Sequence, residues 1–334
     1  MQTPLVTVIM PVRNEAEWIA RSVGAVLAQD YPPEQVEILL ADGCSDDQTV
    51  SIVQGLRDAS RVRVLANPQR IQSAGLNRAL AAASGDVIVR VDGHTVIAPD
   101  YLRCCVETLR LTGAECVGGS IEPVGLTTMG RIIAAASKSP FAVPTIFRVS
   151  RRSQDVDTVY LGAWPRRVFD AGLRFDENLI ANEDYEFNYR LRHAGGHIFF
   201  STELCSEYHG RQSLPALARQ YFRYGFWKPK TLIKHPSSLR LRQLAAPALI
   251  AFLILCVFLS GLNPTIRVLG LSGAALYLVT NLAFSLSVAW RDNWWMLPRL
   301  PLVFLTIHLC WGSGFWLGMF YHLSHVLRCA ISAS

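Results

Sequence analysis

Val36-Glu-Ile-Leu-Leu-Ala41 is a run of apolar residues that ends in Asp42-Gly43-Cys44-Ser45-Asp46-Asp47-Gln48-Thr49, a turn of small and acidic residues opening a helix-length stretch over 47–58. A buried strand, a polar turn and an amphipathic helix are the repeating unit of an α/β fold. The unit recurs along the first part of the chain. Strands are predicted at Val6–Met10, Arg63–Ala66, Asp86–Val91 and Glu115–Ile121, and helical patterns over 15–29, 71–83 and 99–112. The last opens with Pro99-Asp100, as a first helical turn often does. Such alternation predicts a mostly parallel, doubly wound sheet with ligands at the carboxyl ends of its strands.

The polar residues at those ends are the candidates for chemistry. Pro11-Val12-Arg13-Asn14-Glu15 follows the first strand, Arg70-Ile-Gln-Ser-Ala-Gly75-Leu-Asn77 the third, and Asp92-Gly93-His94 the fourth. No G-x-G-x-x-G follows the first strand and no G-x-x-x-x-G-K-[ST] occurs, so a dinucleotide site or P-loop is unsupported. Glu15, Asp42 and Asp92 would share one sheet edge. Their field would repel a diphosphate unless a cation or basic side chains offset it. Asp92 and His94, one residue apart in a turn, can both aim at one ion that bridges diphosphate oxygens.

Further on, Asn182 is positioned as the N-cap of a helix that carries Glu183 and Asp184 in its first turn and stops at Gly195-Gly196. There the helix dipole keeps carboxylates ionised unless burial intervenes, which suits a base.

The chain has 334 residues, 51% apolar and 17% charged, with a formal net charge of +6. Eight basic residues and no acid fall between Arg211 and Arg242, so the rest of the chain is slightly acidic. Eight scattered cysteines without a C-x-x-C indicate neither a disulfide framework nor zinc, and fit a reducing compartment. The N-terminus lacks a basic region followed by an apolar core, so no cleaved signal is expected. Stretches 243–266, 268–290 and 300–327 are free of charge, and each reaches the ~20 residues a membrane helix needs. Three transmembrane helices are expected, near 244–262, 268–289 and 300–321, with tryptophans crowding their ends. The Lys/Arg bias puts the N-terminal domain on the cytoplasmic side. The basic, aromatic-rich segment 211–243 reads as an amphipathic interface with anionic lipid, and nucleic acid is set aside as a partner.

The ordered motifs P-V-x-N-E, D-G-x-S-D-D-x-T, D-x-[DH], G-A-x-x-R, F-D-E, N-E-D and Q-x-x-R-[YW] over residues 5–230 resemble family 2 glycosyltransferases, in particular a membrane-anchored subgroup. The resemblance implies a GT-A fold, a Rossmann-like, mostly parallel sheet, followed by the three membrane helices. Its implied domains are 1–210 for catalysis, 211–243 for the interface and 244–328 for the membrane.

It implies inverting transfer of a sugar from a nucleotide diphosphate. Pro11, Glu15 and Asp42 would line the nucleoside pocket, and Arg70, Gly75 and Asn77 would lie along the nucleotide. Asp92 and His94 would hold Mg²⁺ or Mn²⁺, and Asp184 would be the base, with Glu183 beside it on the acceptor side. Gln220, Arg223 and Tyr224 would lie near the donor phosphates and the acceptor.

Three positions depart from the family pattern. Arg13 stands where many members have an aromatic, and His94 replaces the second aspartate of D-x-D. Tyr224 replaces the tryptophan of processive synthases, which favours a non-processive enzyme. His209 is either a further metal ligand or structural, and Trp164 either stacks on the acceptor sugar or belongs to the core. The expected partners are a UDP-sugar, UDP-glucose first, and a polyprenyl-linked saccharide made for an exopolysaccharide or cell-surface glycan. Polyprenyl phosphate as acceptor, or a non-catalytic scaffold, are the alternatives. The stretch 123–158 is expected to hold contacts that select sugar and linkage.

Overall fold

The computed structural model describes residues 3–142 and 150–333. Residues 143–149 of the stretch expected to select sugar and linkage lie outside the described residues. The chain divides into two compact units, Met1–Pro123 with Ile146–His209, and Val124–Thr145 with Gly210–Ser334.

In the first unit, β1 (Val6–Val12), β2 (Val36–Asp42), β3 (Val62–Ala66) and β4 (Val87–Arg90) pair in parallel in the order β3-β2-β1-β4. Helices α1 (Ile19–Leu27), α2 (Thr49–Gln54) and α3 (Gln72–Ala82) make the crossovers. The apolar runs of β1 and β2 are covered on both faces, as parallel strands are. Val8, Met10, Ile38 and Leu40 pack with Ile19 and Val23 of α1, while Ile9 and Leu39 pack with Leu76 and Ala79 of α3. Each such side chain, fully buried, stabilises the fold by about 1.5–3 kcal/mol.

The rest of the sheet corrects the expectation of mostly parallel strands. β5 (Thr95–Ile97), α4 (Tyr101–Thr112), β6 (Cys116–Val124), β7 (Gln154–Asp155), β8 (Tyr160–Pro165) and β9 (Ile198–His209) complete a nine-stranded sheet, order β3-β2-β1-β4-β8-β6-β9-β5 with β7 on β9. The pairs β4–β8, β6–β8, β5–β9 and β7–β9 are antiparallel. Antiparallel neighbours need no helical crossover, so the β–α alternation that marks the first half gives no signal for the second. The result is a mixed α/β sheet, parallel at one side and antiparallel at the other.

The second unit begins with α5 (Thr128–Ser137), leaves the chain to the first unit's short helix Arg167–Asp170 (α6) and to Glu183–His193 (α7), and resumes with α8 (Leu214–Lys234), α9 (Ala245–Leu259), α10 (Pro264–Arg291) and α11 (Leu300–Ala333). Ile132, Ile133 and Ala136 of α5 pack with Val303, Phe304 and Ile307 of α11. Phe141 stacks on Phe284 at 4.7 Å, and its carbonyl accepts a hydrogen bond from His308 Nε2 at 2.7 Å. The α8 and α11 backbones touch: a Cβ on Gly314 or Gly318 would overlap the carbonyls of Phe222 or Phe226. Small residues spaced four apart are what allow helices to approach this closely.

Among the described residues two helices, α10 and α11, are long and apolar enough to cross a membrane. The third expected span is corrected. α9 has 15 residues and reaches ~22 Å, against a hydrocarbon core of ~30 Å. Charge-free sequence runs on past Leu259, but Asn263 accepts the Thr265 N–H at 2.8 Å and Pro264 takes the first helical position, so a new helix starts there. The seven cysteines with described side chains are all free, and Cys329 lies outside those residues.

Candidate active site

The first two βα turns interlock. Asn14 N–H donates to Ser45 Oγ at 2.9 Å, Asp46 N–H to Asn14 Oδ1 at 3.0 Å, and Glu15 N–H to Thr49 Oγ1 at 2.8 Å. Asn14 and Cys44 take left-handed φ of 55° and 54°, which lets both turns fold back over the strand ends. Asp42, at the end of β2, accepts from Ser45 Oγ at 2.5 Å. Pro11 is buried within β1, and Arg70 is exposed with φ 60°.

Two of the expected nucleotide residues make contacts within the fold. Gly75 lies where a Cβ would come 3.0 Å from Asn67 Nδ2, so it serves close packing of α3 on the sheet. The Asn77 amide binds Phe175 N–H and C=O at 2.9 and 2.8 Å and Glu177 Oε1 at 2.9 Å, clamping the F-D-E loop.

After β4 the chemistry concentrates. Asp92 is 5% exposed and receives Arg90 Nε at 2.8 Å and Nη2 at 3.3 Å. Arg90 Nη2 also reaches Glu183 Oε1 at 3.4 Å, tying the strand end to the start of α7. Burial works against the Arg90 charge, but Asp92 and then Glu183 more than offset it, so the guanidinium stays ionised.

Arg90 was not legible as a site residue. The only signal was a charge inside the apolar run Val87-Ile-Val-Arg90. Asn182 is the N-cap of α7 with φ 65°, but its side chain makes no capping hydrogen bond.

Glu183, expected beside the acceptor, is corrected to a buried partner of Arg90. Burial first, and the Asp184 charge next, push its carboxyl up to about 7. Burial therefore overrides the helix dipole at this position. Asp184 is half-buried, and its Oδ1 accepts the Tyr185 N–H at 2.7 Å. Trp164 belongs to the core: it is 3% exposed, with its ring edge-on to Phe169, Phe175 and Phe187.

His94 Nδ1 pairs with Glu15 Oε1 at 2.9 Å, joining the first and fourth strand ends. The β5–β9 register brings His209 alongside, its N–H donating to the His94 carbonyl at 3.2 Å. His209 stacks on Trp18 at 4.3 Å; neither of its buried ring nitrogens makes a hydrogen bond, and Nε2 lies 3.6 Å from Glu207 Oε2. Burial lowers its pKa, which keeps the imidazole neutral and able to act as a ligand. Among the described residues no three His, Cys, Asp or Glu side chains form a ready-made ion cage. A carboxylate and an imidazole in one turn, with a second imidazole nearby, nevertheless fit an ion that arrives with a diphosphate, since such ions take few protein ligands and rely on phosphate oxygens.

Gln220, Arg223 and Tyr224 lie on α8 in the second unit, where Gln220 Nε2 donates to Tyr224 OH at 3.0 Å.

Residues 7–153 match the model of glycosyl transferase family 2. The chain is 30% identical to succinoglycan biosynthesis protein ExoA of Rhizobium meliloti, covering 92% of this chain and 93% of that one. It is 24% identical to a Methanococcus voltae enzyme named dolichyl N-acetyl-alpha-D-glucosaminyl phosphate 3-beta-D-2,3-diacetamido-2,3-dideoxy-beta-D-glucuronosyltransferase, over 94% of this chain and 97% of the relative. Among solved structures, the mannosyltransferase PcManGT of Pyrobaculum calidifontis, in complex with GDP-Man and Mn²⁺, superposes with a TM-score of 0.63 at 17% identity, covering 93% of this chain and 87% of that one. TarS of S. aureus with UDP-GlcNAc gives 0.52 at 15% identity, covering 93% and 90%.

Proposed function

The chain belongs to glycosyl transferase family 2, and from that premise we propose that it is an inverting, non-processive enzyme moving a sugar from a nucleotide diphosphate, UDP-glucose first, to a lipid-linked saccharide in exopolysaccharide or cell-surface glycan synthesis. The observation that carries this reading is Arg90, which joins the Asp92-Gly93-His94 turn and the Glu183-Asp184 helix start in one buried cluster.

Asp184 takes the proton of the acceptor hydroxyl as the new C–O bond forms, the single base that direct displacement needs. Glu183 is already committed to Arg90, which leaves Asp184 for that task. Asp42 accepts from a nucleobase N–H, with Pro11 and Glu15 completing the nucleoside pocket and Arg70 at its rim. Asp92 and His94, with His209 as a further candidate, would hold Mg²⁺ or Mn²⁺. When bound, the cation neutralises charge gathering on the leaving diphosphate. By family resemblance, Arg223 would add positive charge for the diphosphate, and Gln220 and Tyr224 would serve the acceptor.

The relative named for action on a dolichyl N-acetylglucosaminyl phosphate supports a sugar hydroxyl on a lipid carrier over bare polyprenyl phosphate. Two apolar helices and the eight-charge basic segment support membrane association, with the catalytic unit on the cytoplasmic side. The test is nucleotide release by the purified full chain in detergent, screened over nucleotide sugars with Mg²⁺ or Mn²⁺ and a polyprenyl-linked saccharide. Turnover that Asp184→Asn abolishes is expected. Absence of release with every donor and lipid acceptor refutes the reading.

A further inference from the structure

A cavity of about 10 Å³ in the catalytic unit is lined by Arg90, Trp164, Asp184 and Asn188, with Phe175 and Phe187 as apolar walls. Two of these residues carry a buried polar atom without a hydrogen-bond partner, Trp164 Nε1 and Asn188 Oδ1. Both side chains are deep, at 3% and 2% exposure. The other end of the Asn188 amide is taken, since Nδ2 donates to Thr158 Oγ1 at 2.9 Å. A folded interior seldom leaves an unpaired donor and an unpaired acceptor on the same small void. One water needs a volume of about 10–15 Å³ and two to four polar partners. This cavity meets both conditions.

We propose that one ordered water occupies the cavity, accepting from Trp164 Nε1–H and the Arg90 guanidinium and donating to Asn188 Oδ1 and the Asp184 carboxylate. Its two donors and two acceptors are then all used. The inference rests on Asp184 being the base, and it makes Trp164 and Asn188 positioning residues. A carboxylate held from behind by a fixed water keeps one oxygen turned to the acceptor, and the preorganised geometry is what raises the rate. It also gives a reason for tryptophan at 164, since phenylalanine would pack among the same rings but supply no N–H.

Trp164→Phe in the full-length enzyme decides by kcat, since loss of ring volume lowers the melting temperature in either case. With the water in place, the substitution removes one of its anchors: the melting temperature falls, and kcat drops about tenfold, on the order of 1.4 kcal/mol, with donor KM unchanged. With a dry cavity, the substitution costs only ring packing, so the melting temperature falls but kcat is kept. That outcome overturns the proposal. Should the variant not fold, a high-resolution crystal structure of the unaltered enzyme serves instead. A density peak within hydrogen-bonding distance of Trp164 Nε1 and Asn188 Oδ1 is expected, and its absence overturns the inference. Failure of the base assignment shows separately, as full transfer by Asp184→Asn with the water peak retained.

Discussion

Replacing Arg90 with methionine removes the one side chain that contacts both Asp92 and Glu183, and leaves two buried carboxylates facing each other without their cation. Arg90 is 6% exposed, so bulk solvent screens the pairs little. Removing one partner of a buried ion pair costs about 3–5 kcal/mol, and that is the loss expected in unfolding free energy at pH 8.

The pH dependence identifies the cause. Glu183 has a folded-state carboxyl raised to about 7 by burial and by Asp184, with Arg90 pulling it down. A carboxylate whose folded pKa is raised destabilises the fold when ionised, so its penalty grows as pH rises from the unfolded value through the folded one. Without Arg90 the folded value rises further, and at pH 6 Glu183 binds its proton without strain. The cost of Arg90→Met is therefore smaller at pH 6 than at pH 8, and Arg90→Met/Glu183→Gln recovers part of it at pH 8. The assay is urea unfolding of the full chain in detergent, followed by circular dichroism at both pH values. A penalty equal at the two pH values, or below about 1 kcal/mol, refutes the reasoning.

Three further substitutions probe other parts of the molecule. Asp92→Ala abolishes cation-dependent nucleotide release, and chelation of divalent ions in the unaltered enzyme does the same, with Mn²⁺ restoring it; both are read by nucleotide release. Asn77→Ala releases the loop at Phe175–Glu177 and lowers stability by about 1–3 kcal/mol, measured by the same urea titration. Gly318→Leu forces α8 and α11 apart and lowers the detergent melting temperature, an overpacking cost of about 1–3 kcal/mol or more.

The parallel half of the sheet was legible because each strand is a short apolar run closed by a polar turn. Val36–Asp42 and Val62–Ala66 fall within a residue or so of the expected strands. β5 has three residues and β8 contains a glycine, too little pattern to read, although both help to hold the site. Charge-free length overstated the membrane helices, because it does not register Asn263-Pro264 as a helix start. Asp92, His94 and Asp184 could be read as polar residues at element ends. The link between them could not, since Arg90 pairs with Glu183 across 93 positions of chain. The contacts of Gly75 and Asn77 were hidden for a related reason, as both meet their partners only once α3 lies on the sheet.

The order of the chain has its own consequence for synthesis. α5 is made after β6 and before β8, but its packing partners on α11 emerge more than 160 residues later. At about 5–20 residues per second, Ile132 and Ile133 stay without those partners for roughly ten seconds or longer. A chain that stopped after His209 would carry the apolar face of α5 without the α11 side chains it packs against. Chaperone or bilayer contact during that interval is thus built into the order of the gene product, and a soluble catalytic fragment would have to excise 124–145 as well as the tail.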